Sequence, residues 1–304
     1  MNDNRGFVLL NALILVAALS AVAVLLLSRA NESFARRLAD QDAAQLRLAL
    51  DGGEAMMRTA LLRDVRSIDH ANDSWAQEWE AIPVDRGTLS LKPYDLQGRF
   101  NVNWLANPED TFSRAAFDRL LQRLGLPAAR GDALAKFLTP GQKQDSFENR
   151  TPPITHVGGP VLMLEQLRIM PEWRENELDK LLPFISALPS DSVLNVNTAP
   201  PEVLDAMLPG VPLSGWNRLT NERLREPLVS IDDFRTRLGG VGGFEVAGNL
   251  EDNRFSVATD WVAVELTATT EPEGRGRRVT RLTVFERRPL PLAPRVAYRL
   301  SDRP

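Results

Sequence analysis

Side chains able to do covalent or proton chemistry are scarce in this protein: two histidines and no cysteine among 304 residues. His70 and His156 are far apart in sequence and sit in polar or Pro/Gly-rich surroundings, which reads as surface placement rather than a general base. No Gly-x-Ser-x-Gly elbow, Walker loop or His-Glu-x-x-His helix is present. No catalytic residue is therefore expected. Without cysteine, disulfides and thiolate metal sites are excluded. Gly239-Gly240-Val241-Gly242-Gly243 is glycine-rich, but no strand pattern feeds it, and it reads as a loop. What remains are amide and hydroxyl groups at a recurring spacing: Asn101 and Asn103, then Asn195, Asn197 and Thr198. Asn101 and Asn195 follow strand-like residues, where an amide can satisfy turn backbone as strand becomes helix. Thr198 reads as a helix N-cap, with Pro200 and Pro201 in the first turn, where amide donors lack helical partners. These positions are expected to fold the protein rather than to bind anything.

The elements that must hold them follow from composition and periodicity. Hydrophobic residues make up 43%, charged residues 25%, and the formal net charge is −4, so no basic excess exists to hold a nucleic-acid backbone. The length allows two modest domains. Phe7 to Leu27 is uncharged throughout and long enough to cross a bilayer as a helix. That run is too long for a secretory signal core ahead of Ser28-Arg29-Ala30, whereas a signal anchor fits it. Arg29, Arg36 and Arg37 outnumber Arg5, a balance that alone favours an outward N-terminus. No proline interrupts residues 7 to 82, and Phe34, Leu38, Leu46, Leu50, Met57, Leu61 and Val65 recur at helical steps as one apolar stripe. The spacing predicts a helix from Phe7 to Ile68, about 90 Å long, with a bend at Gly52-Gly53.

Period two begins near residue 83 with Leu89 and Leu91 and continues to Leu105, with a hairpin turn expected at Gly98. From Asn107 to Leu238 the pattern is helical: Phe117, Leu120, Leu121 and Leu124 share one face, ended by Gly125 and Pro127. Further short helices are expected over Leu162–Leu167, Leu178–Leu188, Val203–Leu208 and Ile231–Leu238, with an exposed loop from Pro140 to Pro160. Strands return at Phe255, at Trp261–Ala268 and at Val279–Phe285. Each strand region is too short for a sheet of its own, so the two are expected to pair around an inserted helical domain.

Three motifs in order give this outline a family resemblance. They are Gly6-Phe7-Val8-Leu9-Leu10; Asp95-x-x-Gly98-Arg99-Phe100-Asn101-Val102-Asn103-x-Leu105; and Leu194-Asn195-Val196-Asn197-Thr198-Ala199-x-x-Glu202-Val203-Leu204. Together they resemble the K-class minor pseudopilins of type II secretion systems. The resemblance implies an α+β fold, a pilin-like long N-terminal helix packed on an antiparallel sheet, with a large all-α domain inserted between strands. It implies a leader at 1–6, an assembly helix at 7–27, and helix continuation with first strands at 28–105. The inserted domain would occupy 106–245, and the remaining strands and tail 246–304. A prepilin peptidase would cut after Gly6 and methylate Phe7. Asn11 stands where most pilins carry a glutamate, and K-class subunits characteristically lack that carboxylate.

The resemblance also implies a place atop a pseudopilus, with I- and J-class minor pseudopilins, other pseudopilins, the inner-membrane assembly platform and secreted substrates as partners. The protein would be single-pass in the inner membrane with its globular part in the periplasm. Family members often carry an acidic calcium-binding loop after the second helix. Here that stretch reads Lys136-Phe137-Leu138-Thr139-Pro140-Gly141, and Asp145 and Glu148 are too few to rebuild it, so no metal is expected there and calcium elsewhere stays open. Two alternatives share features: a minor pilin of a type IV pilus, and a membrane-anchored helix-hairpin-helix DNA binder. Against the second, Pro212 replaces the second turn glycine, and residues 191–240 hold seven acidic and five basic side chains. A membrane-anchored hydrolase lacks a nucleophile–base pair.

Overall fold

The computed structural model describes residues 4–85, 87–141, 158–270 and 276–301. Helix α1 runs Asn4–Arg63, 60 residues and about 90 Å at 1.5 Å per residue. Its most apolar window has a mean hydropathy of 2.7 with none of it buried. The helix ends at Arg63 rather than Ile68 and continues through Gly52-Gly53. Only the middle of the expected stripe packs on the sheet: Leu46, Leu50, Met57 and Leu61 are buried, whereas Phe34, Leu38 and Val65 are exposed. The mixed steps drift around the helix, so residues that look like one stripe occupy two faces.

Strands β1 (Trp79–Val84) and β2 (Gly87–Asp95) form the first hairpin, so the chain reverses between Val84 and Gly87, not at Gly98. Gly87 has a φ of +155°, and a Cβ there would lie 1.8 Å from the Thr269 carbonyl oxygen. β7 (Trp261–Thr269), β8 (Arg278–Glu286) and β9 (Arg295–Ser301) complete an antiparallel sheet of order β1-β2-β7-β8-β9. β2 and β7 pair over eight residues, from Thr88↔Thr269 to Asp95↔Val262. The long helix covers one face, packing on Leu89, Leu91, Val262, Val264, Leu266 and Phe285. The backbone leaves the sheet after Asp95 and rejoins it at Trp261, so the insertion measured by strand order is wider at both ends than 106–245.

The insertion is built twice. Its first half opens with β3 (Phe100–Asn101) and a 3-10 turn over Val102–Ala106, then α2 (Thr111–Arg123) and α3 (Ala129–Leu138). A 3-10 helix at Leu164–Ile169 and α4 (Glu175–Leu181) follow, and the half closes with β4 (Ile185–Ser186) parallel to β3. The second half opens with β5 (Leu194–Asn195) and continues through α5 (Pro201–Met207), α6 (Leu213–Arg225), α7 (Ile231–Gly240) and α8 (Phe244–Gly248). It closes with β6 (Phe255–Ser256), parallel to β5. Leu124-Gly125-Leu126 and Leu208-Pro209-Gly210-Val211 are matching turns, with positive φ at Gly125 and Gly210 and buried Leu126 and Val211.

Several expectations are corrected here. Trp104 and Leu105 belong to a 3-10 turn, not a strand. The segment 178–188 passes from helix into β4. Gly239 and Gly240 end α7, and only the residues after them form the turn. β9 occupies what read as tail. The expected loop at 140–160 falls largely outside the described residues, as do His156, Asp145 and Glu148.

Candidate functional site

The two asparagine motifs hold equivalent places, one opening each half. In both, the first asparagine's Oδ1 accepts from the amide of the second: Asn103 N at 3.1 Å from Asn101, and Asn197 N at 3.0 Å from Asn195. The second asparagine then grips one distant residue in both directions. Asn103 accepts from Val161 N at 2.8 Å and donates to Val161 O at 2.8 Å; Asn197 does the same with Leu228 N and O at 2.9 Å. All four amides are buried. A side-chain amide placed this way replaces a backbone ladder partner, so the turn after each short strand is satisfied without water.

Asn195 Nδ2 also donates to Asp69 O and to Asp95 Oδ2, tying the second half to the sheet-bearing body. Thr198 is not an N-cap. Helix α5 starts three residues later with Pro200 at its cap, and Thr198 Oγ1 donates to Asp95 Oδ2 at 2.6 Å instead. Gly98 makes that contact possible, because a Cβ there would sit 2.6 Å from Thr198 Oγ1. Asp95 is buried, and burial pushes its carboxyl up against the opposing bonds from Thr198, Thr259, Asn195 and the Gln97 amide.

A second polar cluster, which sequence reasoning missed, clasps the end of α1. Arg287 is buried and donates to both Asp69 and Asp64, the latter at 2.8 Å. Asp69 also accepts from Trp75 Nε1 at 3.1 Å and from Thr259 N at 2.8 Å. The carboxylates of Asp64, Asp69 and Asp73 converge within 4.8 Å. Burial raises the Asp64 carboxyl, opposed by Arg287, and raises that of Asp73, opposed by His70. His70 lies in a local turn, accepting from Asn72 N at Nδ1 and facing Asp73 at 3.1 Å. The only sequence signal for this clasp was the charge of residues too scattered to group.

At the stretch 136–141, where no metal is expected, Lys136 is exposed, Phe137 and Leu138 are buried, and Thr139 Oγ1 donates to Ala135 O. Those residues do not fit a calcium site, because a helix end with apolar side chains turned inward supplies no set of hard oxygen ligands. At the hairpin between α5 and α6, Pro212 caps α6 and has no amide to offer a phosphate.

Phe7 and Asn11 are exposed on α1, as are Leu9, Leu10, Leu13, Ile14 and Leu15. Gly6 lies within α1. A long helix bare at one end, packed on an antiparallel sheet at the other, with a helical block spliced between two strands, defines a pilin-type subunit carrying an insertion. Residues 98–190 and 194–258 match two family profiles, each described as Type II secretion system (T2SS), protein K. The sequence is 32% identical over 264 residues to the type II secretion system protein K of Pseudomonas aeruginosa, covering 78% of each. It is 25% identical over 284 residues to that of Klebsiella pneumoniae, covering 86% of this protein and 84% of the relative. One subunit in the crystal structure of the GspK-GspI-GspJ complex from enterotoxigenic Escherichia coli superposes with a TM-score of 0.71 at 19% identity, over 88% of this protein and 100% of that subunit. The protein belongs to the type II secretion system protein K family, the K-class minor pseudopilins.

Proposed function

We propose that the subunit caps the tip of a type II secretion pseudopilus. There it primes assembly together with I- and J-class minor pseudopilins and supports protein export across the outer membrane. It acts without enzymatic chemistry, anchored once in the inner membrane with its globular part in the periplasm. Maturation after Gly6 leaves Phe7 as the methylated terminus, and neutral Asn11 suits a subunit with none ahead of it to neutralise. The assembly platform handles the helix from the membrane side, while the broad insertion, too wide to stack inside a fibre, faces secreted substrates.

The observation that carries this reading is a second face of α1. Phe34, Leu38, Gln45, Ala49, Gly52 and Met56 recur at steps of three, four and seven, which places them on one side of the helix. Phe34 is 70% exposed and Met56 40%. The lower part of this face lines a groove of about 460 Å³, walled by Ile82, Pro83 and Val84 of β1. Small Ala49 and Gly52 at its floor allow a neighbouring helix to approach closely.

The test is co-purification with I- and J-class subunits from detergent. Phe34→Asp combined with Gly52→Leu should abolish it while the melting temperature stays within a few degrees of wild type. Full co-purification by that variant would overturn the assignment of this face. Mass spectrometry of the mature protein should show a methylated Phe7 terminus, and Gly6→Val should leave precursor; a terminus at Ala30 or beyond would refute the maturation scheme.

A further inference from the structure

A cleft of about 430 Å³ lies where the insertion meets the sheet-bearing body, with Trp75, Pro93, Tyr94, Pro183, Pro200 and Leu224 in its walls. Two arginines also line it. Arg99 lies over the Tyr94 ring, 4.3 Å from its centre. Arg223, only 6% exposed, donates through Nη1 and Nη2 to the carbonyls of Val196 and Ala199, and its Nε has no hydrogen-bond partner. Neither guanidinium has a carboxylate within salt-bridge distance among the described residues. Burial holds Arg223 down to about 10 and depresses Arg99 as well.

The one carboxylate in the lining is Asp95, and it is already committed to four donors. These are Thr198 Oγ1 at 2.6 Å, Thr259 Oγ1 at 2.7 Å, and Asn195 Nδ2 and Gln97 N, each at 2.8 Å. Those donors are neutral and leave its charge in place, so two arginines face one carboxylate and the partly desolvated cleft holds one positive charge in excess. That arrangement is costly unless an anion completes it.

We propose that this cleft binds a carboxylate presented by an extended peptide segment, with Arg99 making the direct forked contact. A planar guanidinium already stacked on a ring loses little freedom when it takes a carboxylate through two parallel N–H donors. Arg223 contributes through its field, since its Nη groups stay on the backbone of 196 and 199. Trp75, Tyr94 and the prolines provide rigid apolar walls for the residues flanking the acid, a surface suited to an extended peptide. A single surplus charge beside Asp95 matches a carboxylate better than a dianionic phosphate. The shared chemistry has two sources, a free peptide C-terminus or an Asp/Glu side chain, and neither depends on the subunit's place at a tip.

Isothermal titration of the full-length protein in detergent tests this with four probes. They are acetyl-Ala-Phe-Ala-Ala with a free C-terminus, C-amidated acetyl-Ala-Phe-Glu-Ala, its Gln counterpart, and inorganic phosphate. Saturable binding is expected for one or both carboxylate peptides, at least tenfold tighter than for the Gln peptide or phosphate. Which peptide binds identifies the source. Arg99→Gln should weaken that binding at least tenfold, and Arg99→Lys should retain part of it. Circular dichroism establishes that both variants are folded. No saturable binding by either carboxylate peptide, equal binding of the Gln peptide, tighter binding of phosphate, or folded Arg99→Gln binding as wild type would each overturn the proposal.

Discussion

Asn103 shows how much one amide can organise. It makes three hydrogen bonds to backbone, two to Val161 and one to Leu188 O at 2.8 Å, across a separation that no local motif spans. Replacing it with leucine leaves those buried groups without partners, each at about 1–3 kcal/mol. Asn103→Leu should therefore lower unfolding stability by about 3 kcal/mol or more in a denaturant titration, and a loss under about 1 kcal/mol would show that water or rearrangement replaces the amide. Asp110 makes a pH prediction of definite sign. Burial would raise its carboxyl, but bonds from Arg254 and from Ser113 N and Oγ together outweigh that and hold it below the ordinary 3.8. A group depressed on folding stabilises above its unfolded value, and that contribution is lost as pH falls through the folded one. Asp110→Asn should melt lower than wild type at pH 7, with the gap shrinking at pH 3. At this scale the residue types of the asparagine motifs announced a structural role, because an amide after a strand has few other uses. Their partners were illegible, since Val161 and Leu228 contribute only backbone. Thr198 misled because a threonine before two prolines suits a cap, and nothing local reveals that Asp95 captures its hydroxyl.

Elements were legible where periodicity alone decides them and misread where contact geometry does. Adjacent glycines in α1 illustrate the second case. A Cβ on Gly53 would sit 2.9 Å from Leu266 Cδ2 and 3.1 Å from Leu89 Cδ2, so this glycine lets the helix lie close on the sheet. Gly52 has nothing within 4 Å, so within the isolated subunit it weakens an exposed helix interior without a packing return. Gly52→Ala should stabilise by up to about 1 kcal/mol through helix propensity, while Gly53→Val should cost about 1–3 kcal/mol by overpacking. Thermal melts of the two variants should move in opposite directions; movement in the same direction would mean that the pair acts as a flexible joint. The sequence read both as a bend because glycine's cost in a helix is visible and its packing reason is not. The first hairpin was displaced for a similar cause. Its tight point is Gly87 against Thr269 O, a long-range contact, whereas Gly98 sits between alternating stretches that look like paired strands. For β9, the alternation of Val296, Tyr298 and Leu300 was a usable signal, masked by the prolines at 289, 291 and 294.

At the scale of the whole molecule, a fold interrupted by a doubled insertion needs something to hold its parts in register. Sequence patterning located the two strand regions and the helical block between them, because period two and period 3.6 differ sharply. The doubling escaped notice although Phe100-Asn101-Val102-Asn103 and Leu194-Asn195-Val196-Asn197 are nearly the same word, since the described helices that follow differ in length. The register is held at Asp69. Its carboxylate meets Arg287 from the end of β8 and Thr259 N from the return path; its amide donates to Val257 O; and its carbonyl accepts from Asn195 of the second half. Arg287 simultaneously binds Asp64, just past the last turn of α1. Helix end, sheet and insertion thus meet in one buried ion cluster. Removing one partner strands the others without compensation, at about 3–5 kcal/mol. Arg287→Leu should lose that much stability and open residues 64–78 and 250–260 to limited proteolysis before the sheet itself melts. Arg287→Leu with Asp69→Asn removes opposite charges together and should recover part of the loss, because the isolated carboxylate and not the missing attraction carries most of the cost. Additive losses in the double variant would mean that the cluster merely fills space, and the insertion would then be held to the sheet by its apolar contacts alone.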